Sequence, residues 1–151
     1  MVPFKERYFE DYSEGESTEF GDYLVTEAEI IEFAQRYDPQ PFHIDEAAAK
    51  ESIYKGLIGS GWMTASISMR LAVDHFISPI ASMGSPGVDE IRWVAPTRPN
   101  DRLRVRMSVI ATRRSQSKPD RGTVQFYQET INQNNEVVMR QRTWGMIKCR
   151  T

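Results

Sequence analysis

The spacing of hydrophobic positions changes along this chain from a helical period to a strand period. From Thr26 to Tyr37, Ile30, Phe33, Ala34 and Tyr37 recur at helical spacing. Thr26-Glu27-Ala28-Glu29 predicts a capping box at the start of that helix. Pro39 and Pro41 forbid its continuation, because each lacks an N–H and restricts the residue before it. Asp45 is placed to cap a short second helix over Glu46–Ser52. After a glycine-rich turn, Trp62 to Phe76 is dense in Met, Ala, Ile, Leu and Ser, with Arg70 and Asp74 as its certain charges. A helix that is apolar around most of its circumference is expected to be buried.

From Val88 onward alternation takes over. In "DRLRVRMSVI", Leu103, Val105, Met107 and Val109 fall on one face, and Arg102, Arg104, Arg106 and Ser108 on the other. "GTVQFYQETINQNNEVVMRQRTWGMIKC" reads as two strands joined by a turn at Asn132–Asn135. The expected architecture is α+β: helices first, then a run of antiparallel strands whose curved sheet wraps the long helix. Residues 1–151 are read as a single domain. One sheet with two free edges is expected to pair with a second copy, giving a homodimer or a dimer-based oligomer.

Composition changes this picture little. The chain has 151 residues, 26% of them charged, and a single cysteine, Cys149, which rules out an internal disulfide framework. No run is long enough for a membrane span, and the acidic N-terminal stretch lacks an apolar signal core, so the expected location is the cytoplasm. Charge is more informative. Residues 1–90 carry 6 Lys+Arg against 17 Asp+Glu, a balance of −11, and residues 91–151 carry 13 against 4, a balance of +9. Either the halves neutralise each other, or arginines in Arg102–Arg106 or Arg113–Arg114 meet a phosphorylated ligand. No motif or aromatic array points to nucleic acid.

Several sites can be set aside. Gly56 and Gly61 have phosphate-loop spacing, but Trp62-Met63 stand where Lys-Ser/Thr is required. No Ser occupies a nucleophile elbow. Asp38, His43 and Asp45 make a poor zinc set with only one histidine, so no metal and no cofactor is assigned. What remains is "RYDPQPFHIDEAAAK". Its prolines hold Asp38 and His43 in a stiff connection, and the two side chains are suited to hold and deprotonate water near neutral pH. The amides of Ser60, Gly61 or Trp62, at the start of the long helix, form a natural anion site.

These residues resemble the MaoC-like dehydratases, the (R)-specific enoyl-CoA hydratase group of the hotdog fold. The likeness runs from "RYFEDYSEGE" through "FAQRYDPQPFHIDEAAAKESIYKGLIGSGWMTA" and "VAPTRPNDRLRV" to "NQNNEVVM". Its most specific element is the D-x-x-P-x-H segment, in which Gln40 replaces the usual Asn. The resemblance implies that Asp38 and His43 are the catalytic pair, binding the water added across an α,β-unsaturated acyl-CoA thioester. It implies that the Gly61 N–H receives the thioester oxygen, with Ser60 and Trp62 beside the substrate. Ser60 stands where the better-known hydratases often have His. Met69, with Ser66 and Ser68 nearby, falls where they carry a Ser supporting the histidine. An acyl-CoA thioesterase and a non-catalytic acyl-CoA-binding subunit are the alternatives the residues leave open.

Overall fold

The computed structural model describes all residues 1–151. Its framework is set by the alternation in the second half of the chain. Strands β3 (Arg102–Arg114), β4 (Arg121–Ile131) and β5 (Val137–Lys148) form the centre of a five-stranded antiparallel sheet. Leu103, Val105, Met107 and Val109 are buried on one face, as the period of two requires. The turn between β4 and β5 passes through Asn135 in the left-handed region, φ 61°.

The edges come from segments that the pattern does not mark. Sheet order is β1-β3-β4-β5-β2, with β1 at Ser17–Leu24 and β2 at Gly87–Trp93. The α-helices therefore do not come first: two single 3-10 turns, Phe4–Glu6 and Phe9–Asp11, and then β1 precede them. Only Phe20 and Tyr23 give β1 an inward apolar face, and its register against β3 shifts between them. Gly21 sits in this bulge at φ 93°, and an added Cβ would lie 2.8 Å from a Leu71 methyl. A bulge breaks the two-residue period, which hides the strand from pattern reading.

Helix α1 (Glu27–Tyr37) is capped by Thr26, which accepts from the Glu29 N–H at 3.1 Å. The reciprocal half of the capping box is absent, because the Glu29 carboxylate takes the Tyr23 hydroxyl at 2.6 Å instead. Pro39 follows the C-cap of α1, and Pro41 opens the next helix: it is the first residue of a single turn, α2 (Pro41–Ile44). Asp45 then caps α3 (Glu46–Glu51), accepting from Ala47 and Ala48.

The long helix α4 (Gly61–His75) lies on the sheet and buries Met63, Thr64, Ile67, Ser68, Leu71 and Ala72. Its opposite side is open: Trp62, Met69 and Val73 are exposed. Burial all round is thus not achieved within one chain, because a single sheet can cover only one side of a helix.

The charge asymmetry resolves into pairing across the halves. Asp22 meets Arg102, Glu19 meets Arg104 and Arg106, Glu10 meets Arg114, Asp11 meets Arg150 and Glu90 meets Arg142. Arg102, Arg104 and Arg106 lie on the face of β3 opposite the buried residues. Each has a carboxylate partner there, as neutralisation between the halves requires.

One buried charge is different. Arg7 is 1% exposed, pairs with Glu16 at 2.6 Å, donates to the Val2 carbonyl at 2.9 Å, and lies 3.8 Å above the Phe4 ring. Removing Glu16 leaves this guanidinium without its counter-charge. Glu16→Ala is expected to cost about 3 kcal/mol, read as a lower midpoint in chemical denaturation. An unchanged midpoint would show that the carbonyl and ring suffice.

Candidate active site

Asp38 and His43 meet because α1 stops and α2 starts within three residues. Asp38 is the C-cap of α1, its N–H bonded to the Ala34 carbonyl at 2.7 Å. Pro39 prevents another helical residue, Gln40 turns the chain, and α2 presents His43 back toward Asp38. His43 Nε2 lies 3.3 Å from Asp38 Oδ2. The imidazole is 5% exposed, so little of it is free to move.

The other ring nitrogen defines the tautomer. His43 Nδ1 lies 2.7 Å from the Ile58 carbonyl oxygen, which can only accept, so Nδ1 carries a proton. In the neutral ring Nε2 then offers a lone pair toward a carboxylate that also only accepts. Something must supply a proton between them. An imidazolium does so directly, and a water donating to both does so by bridging. The arrangement is therefore suited to orient a water molecule and to take its proton. Ile58 supplies the support for the histidine. Met69 is exposed on the far side of α4, Ser66 donates to the Trp62 carbonyl and Ser68 to the Thr64 carbonyl.

Burial alone would push the Asp38 carboxyl up. The Gln40 side-chain N–H at 2.6 Å, the nearby Ser60 hydroxyl and the charge of His43 outweigh it, and the pKa falls below the ordinary carboxylate value. A depressed folded pKa gives stability that is present above the unfolded pKa and lost as pH falls through the folded one. Asp38 is thus ionised throughout the neutral range. Gln40→Leu is expected to raise this pKa toward the ordinary value, measured by carbon-detected NMR titration of the carboxyl. An unmoved titration would remove Gln40 as a cause.

The pair opens into a cleft of about 440 Å³. Gly61 lines it as the first residue of α4, and its N–H takes no acceptor within the chain. An added Cβ at Gly61 would lie 2.6 Å from Trp93 Nε1, which donates to the Gly61 carbonyl at 2.8 Å. Only glycine lets this ring lie against the backbone. Trp62 also lines the cleft, edge-on to Trp93 with centroids 5.0 Å apart. Ser60 does not: it is fully buried and accepts from the Trp62 N–H at 3.3 Å. Its place is behind Asp38 as a helix cap, not on the cleft surface. Asp45 is committed to capping α3.

Sequence reasoning misses much of the wall. Phe42, Tyr54, Trp93 and Val94–Thr97 line it, the last four from the proline-containing turn after β2. The only advance signal is that turn's place in the family resemblance, which says nothing about where its side chains point.

Similarity to known proteins identifies the family and the fold. A family model described as a MaoC-like domain matches residues 11–132. Protein MaoC of Klebsiella aerogenes is 31% identical over 107 residues, covering 70% of this chain but only 31% of that protein. Among solved structures, a MaoC-like dehydratase from Rhodospirillum rubrum is 40% identical, with a TM-score of 0.90 over 96% of this chain and 99% of that one. The unliganded R-hydratase PhaJ1 of Pseudomonas aeruginosa, at 19% identity, has a TM-score of 0.76 over 95% and 86%. A conserved hypothetical protein of Mycobacterium tuberculosis with a double hotdog fold, at 14% identity, has a TM-score of 0.81 over 98% of this chain and 46% of that one. The last two likenesses speak to fold alone. With its curved antiparallel sheet wrapped on α4, the chain has the hotdog fold and belongs to the MaoC-like dehydratase family.

Proposed function

We infer that this chain is an (R)-specific enoyl-CoA hydratase, or in the reverse direction a 3-hydroxyacyl-CoA dehydratase. The observation that carries the reading is the facing of two proton acceptors, Asp38 Oδ2 and His43 Nε2, in a cleft that Gly61 also lines. A water between them loses a proton to one of the pair as its oxygen bonds to Cβ. The C=C electrons move toward the thioester carbonyl, and a proton is returned to Cα on the same face. The Gly61 N–H donates to the carbonyl oxygen as enolate charge develops, with the amide dipoles at the start of α4 behind it. Arg98, which follows the cleft wall and donates to the Tyr54 carbonyl at 2.8 Å, is a cation available to the CoA portion.

The functional unit is a homodimer in this reading. Trp62, Met69 and Val73 on α4, together with Val88, Trp93 and Val94 in and just after β2, leave apolar side chains exposed beside a free edge of the sheet. Light scattering is expected to give twice 17.4 kDa, or a multiple of that dimer. A monomer at micromolar concentration would remove the dimer from the proposal.

Crotonyl-CoA supplies the test of activity. Loss of the conjugated enoyl absorbance without release of free thiol is the expected result. Thiol release without hydration would replace this reading with a thioesterase, which directs the same water at the carbonyl carbon. No helix is long and apolar enough to cross a membrane.

A further inference from the structure

Two threonines that line the cleft pair their hydroxyls with each other. Thr64 of α4 and Thr97 of the turn after β2 both line the cleft, are 2% and 3% exposed, and have their Oγ1 atoms 2.9 Å apart. Two hydroxyls bring two protons, and the bond between them uses one. Neither oxygen donates to any other acceptor in the chain, so one O–H is left over whichever way that bond runs. The neighbouring pair shows what a closed arrangement looks like. Ser68 donates to the Thr64 carbonyl at 2.8 Å, and Thr130 then donates to Ser68 at 2.6 Å, which uses both protons. A buried donor left without an acceptor is destabilising, so the surplus at Thr64–Thr97 calls for an acceptor from outside the chain.

Its position says which oxygen. Thr64 is one helical turn beyond Gly61, about 4.5 Å along α4. With the thioester carbonyl at the Gly61 N–H and an acyl chain laid along α4 in the direction of Thr64, the hydroxyl pair would fall beside the carbons beyond the double bond. We propose that Thr64 and Thr97 are specificity-determining residues that select acyl groups bearing an oxygen at the γ carbon, a hydroxyl or a carboxylate, over plain fatty acyl chains. The proposal rests on the hydration reading of the same cleft.

The test compares 2-pentenoyl-CoA with 4-hydroxycrotonyl-CoA, which differ by a methyl against a hydroxyl on the same carbon. Fumaryl-CoA supplies the carboxylate arm. The wild type is expected to favour an oxygenated substrate in kcat/KM by about tenfold for a hydroxyl acceptor, or about a hundredfold for a carboxylate. Which arm shows the preference identifies the oxygen. Because either hydroxyl can hold the free proton, both must be removed: Thr64→Val with Thr97→Val is expected to abolish the preference. Thr64→Ser with Thr97→Ser, which keeps both hydroxyls, is expected to retain it, separating hydrogen bonding from a packing defect. Hydration of 2-pentenoyl-CoA as fast as both oxygenated thioesters would overturn the proposal. So would a preference that survives the double valine variant. If no thioester is hydrated, the enzyme reading fails by itself. Calorimetric binding of the same thioesters then decides this inference, with equal affinities overturning it.

Discussion

Asp38→Asn and His43→Ala are each expected to lower crotonyl-CoA hydration by about 10³-fold, within the range for loss of a positioned acid or base. Each change removes one of the two acceptors that face each other across 3.3 Å, and with it the site that orients water. The double variant is expected to be little worse than either single one, because the two groups hold one water as a unit. The fold is expected to tolerate both changes. Asp38 lies at a helix end, where Asn can still accept from Gln40, and the cavity left by His43 opens onto the cleft. Circular dichroism and thermal melting check this. Activity retained in both variants, with normal folding, would show that the pair is not the reacting centre.

Gly61 carries the second large effect, and two substitutions divide it. Gly61→Ala keeps the N–H but drives a Cβ into Trp93, so the indole must move and its bond to the Gly61 carbonyl is lost. Gly61→Pro brings the same carbon into the same space and also deletes the N–H. Proline is tolerated at the first helical position, and the preceding Ser60, at φ −57° and ψ 138°, has the extended backbone that a following proline requires. The alanine variant measures the cost of displacing Trp93. The proline variant is expected to lose roughly a further 10²-fold in kcat, the effect of one oxyanion donor. Equal rates for the two would mean that the Gly61 amide does not meet the developing charge, and that the glycine is needed only to seat the indole.

The two variant sets test different kinds of knowledge. Asp38 and His43 are close in sequence and joined through prolines, so local rules of helix termination are enough to bring them together. Ile58, which holds the imidazole through its carbonyl, is fifteen residues from His43. A backbone carbonyl carries no residue-type signal, so this partner is invisible until the chain folds. Trp93 reaches Gly61 from β2, thirty-two residues away, and Thr97 reaches Thr64 across thirty-three. Side chains brought together by strand register and helix placement leave no periodicity behind.

Edges follow the same division. β3, β4 and β5 alternate because one face of each must be buried, and that requirement is written in the residues. β1, broken by its bulge, and β2, largely exposed, bury too little for the pattern to show. The apolar stripe on α4 illustrates the converse. Composition alone foresees that Trp62, Met69 and Val73 avoid water, while the structure reveals that this chain's own sheet does not cover them.

From the sequence alone come the central strands, the caps of the first and third helices, the Asp38–His43 pair and the glycine that opens α4, each set by interactions spanning a few residues. Tertiary structure decided which half neutralises which, that Ser60 backs the carboxylate instead of facing the cleft, that Ile58 sets the histidine tautomer, and that two distant threonines share a single hydrogen bond with one proton to spare. Those outcomes depend on where folding brings remote groups within about 3 Å of one another, and local spacing does not encode that distance.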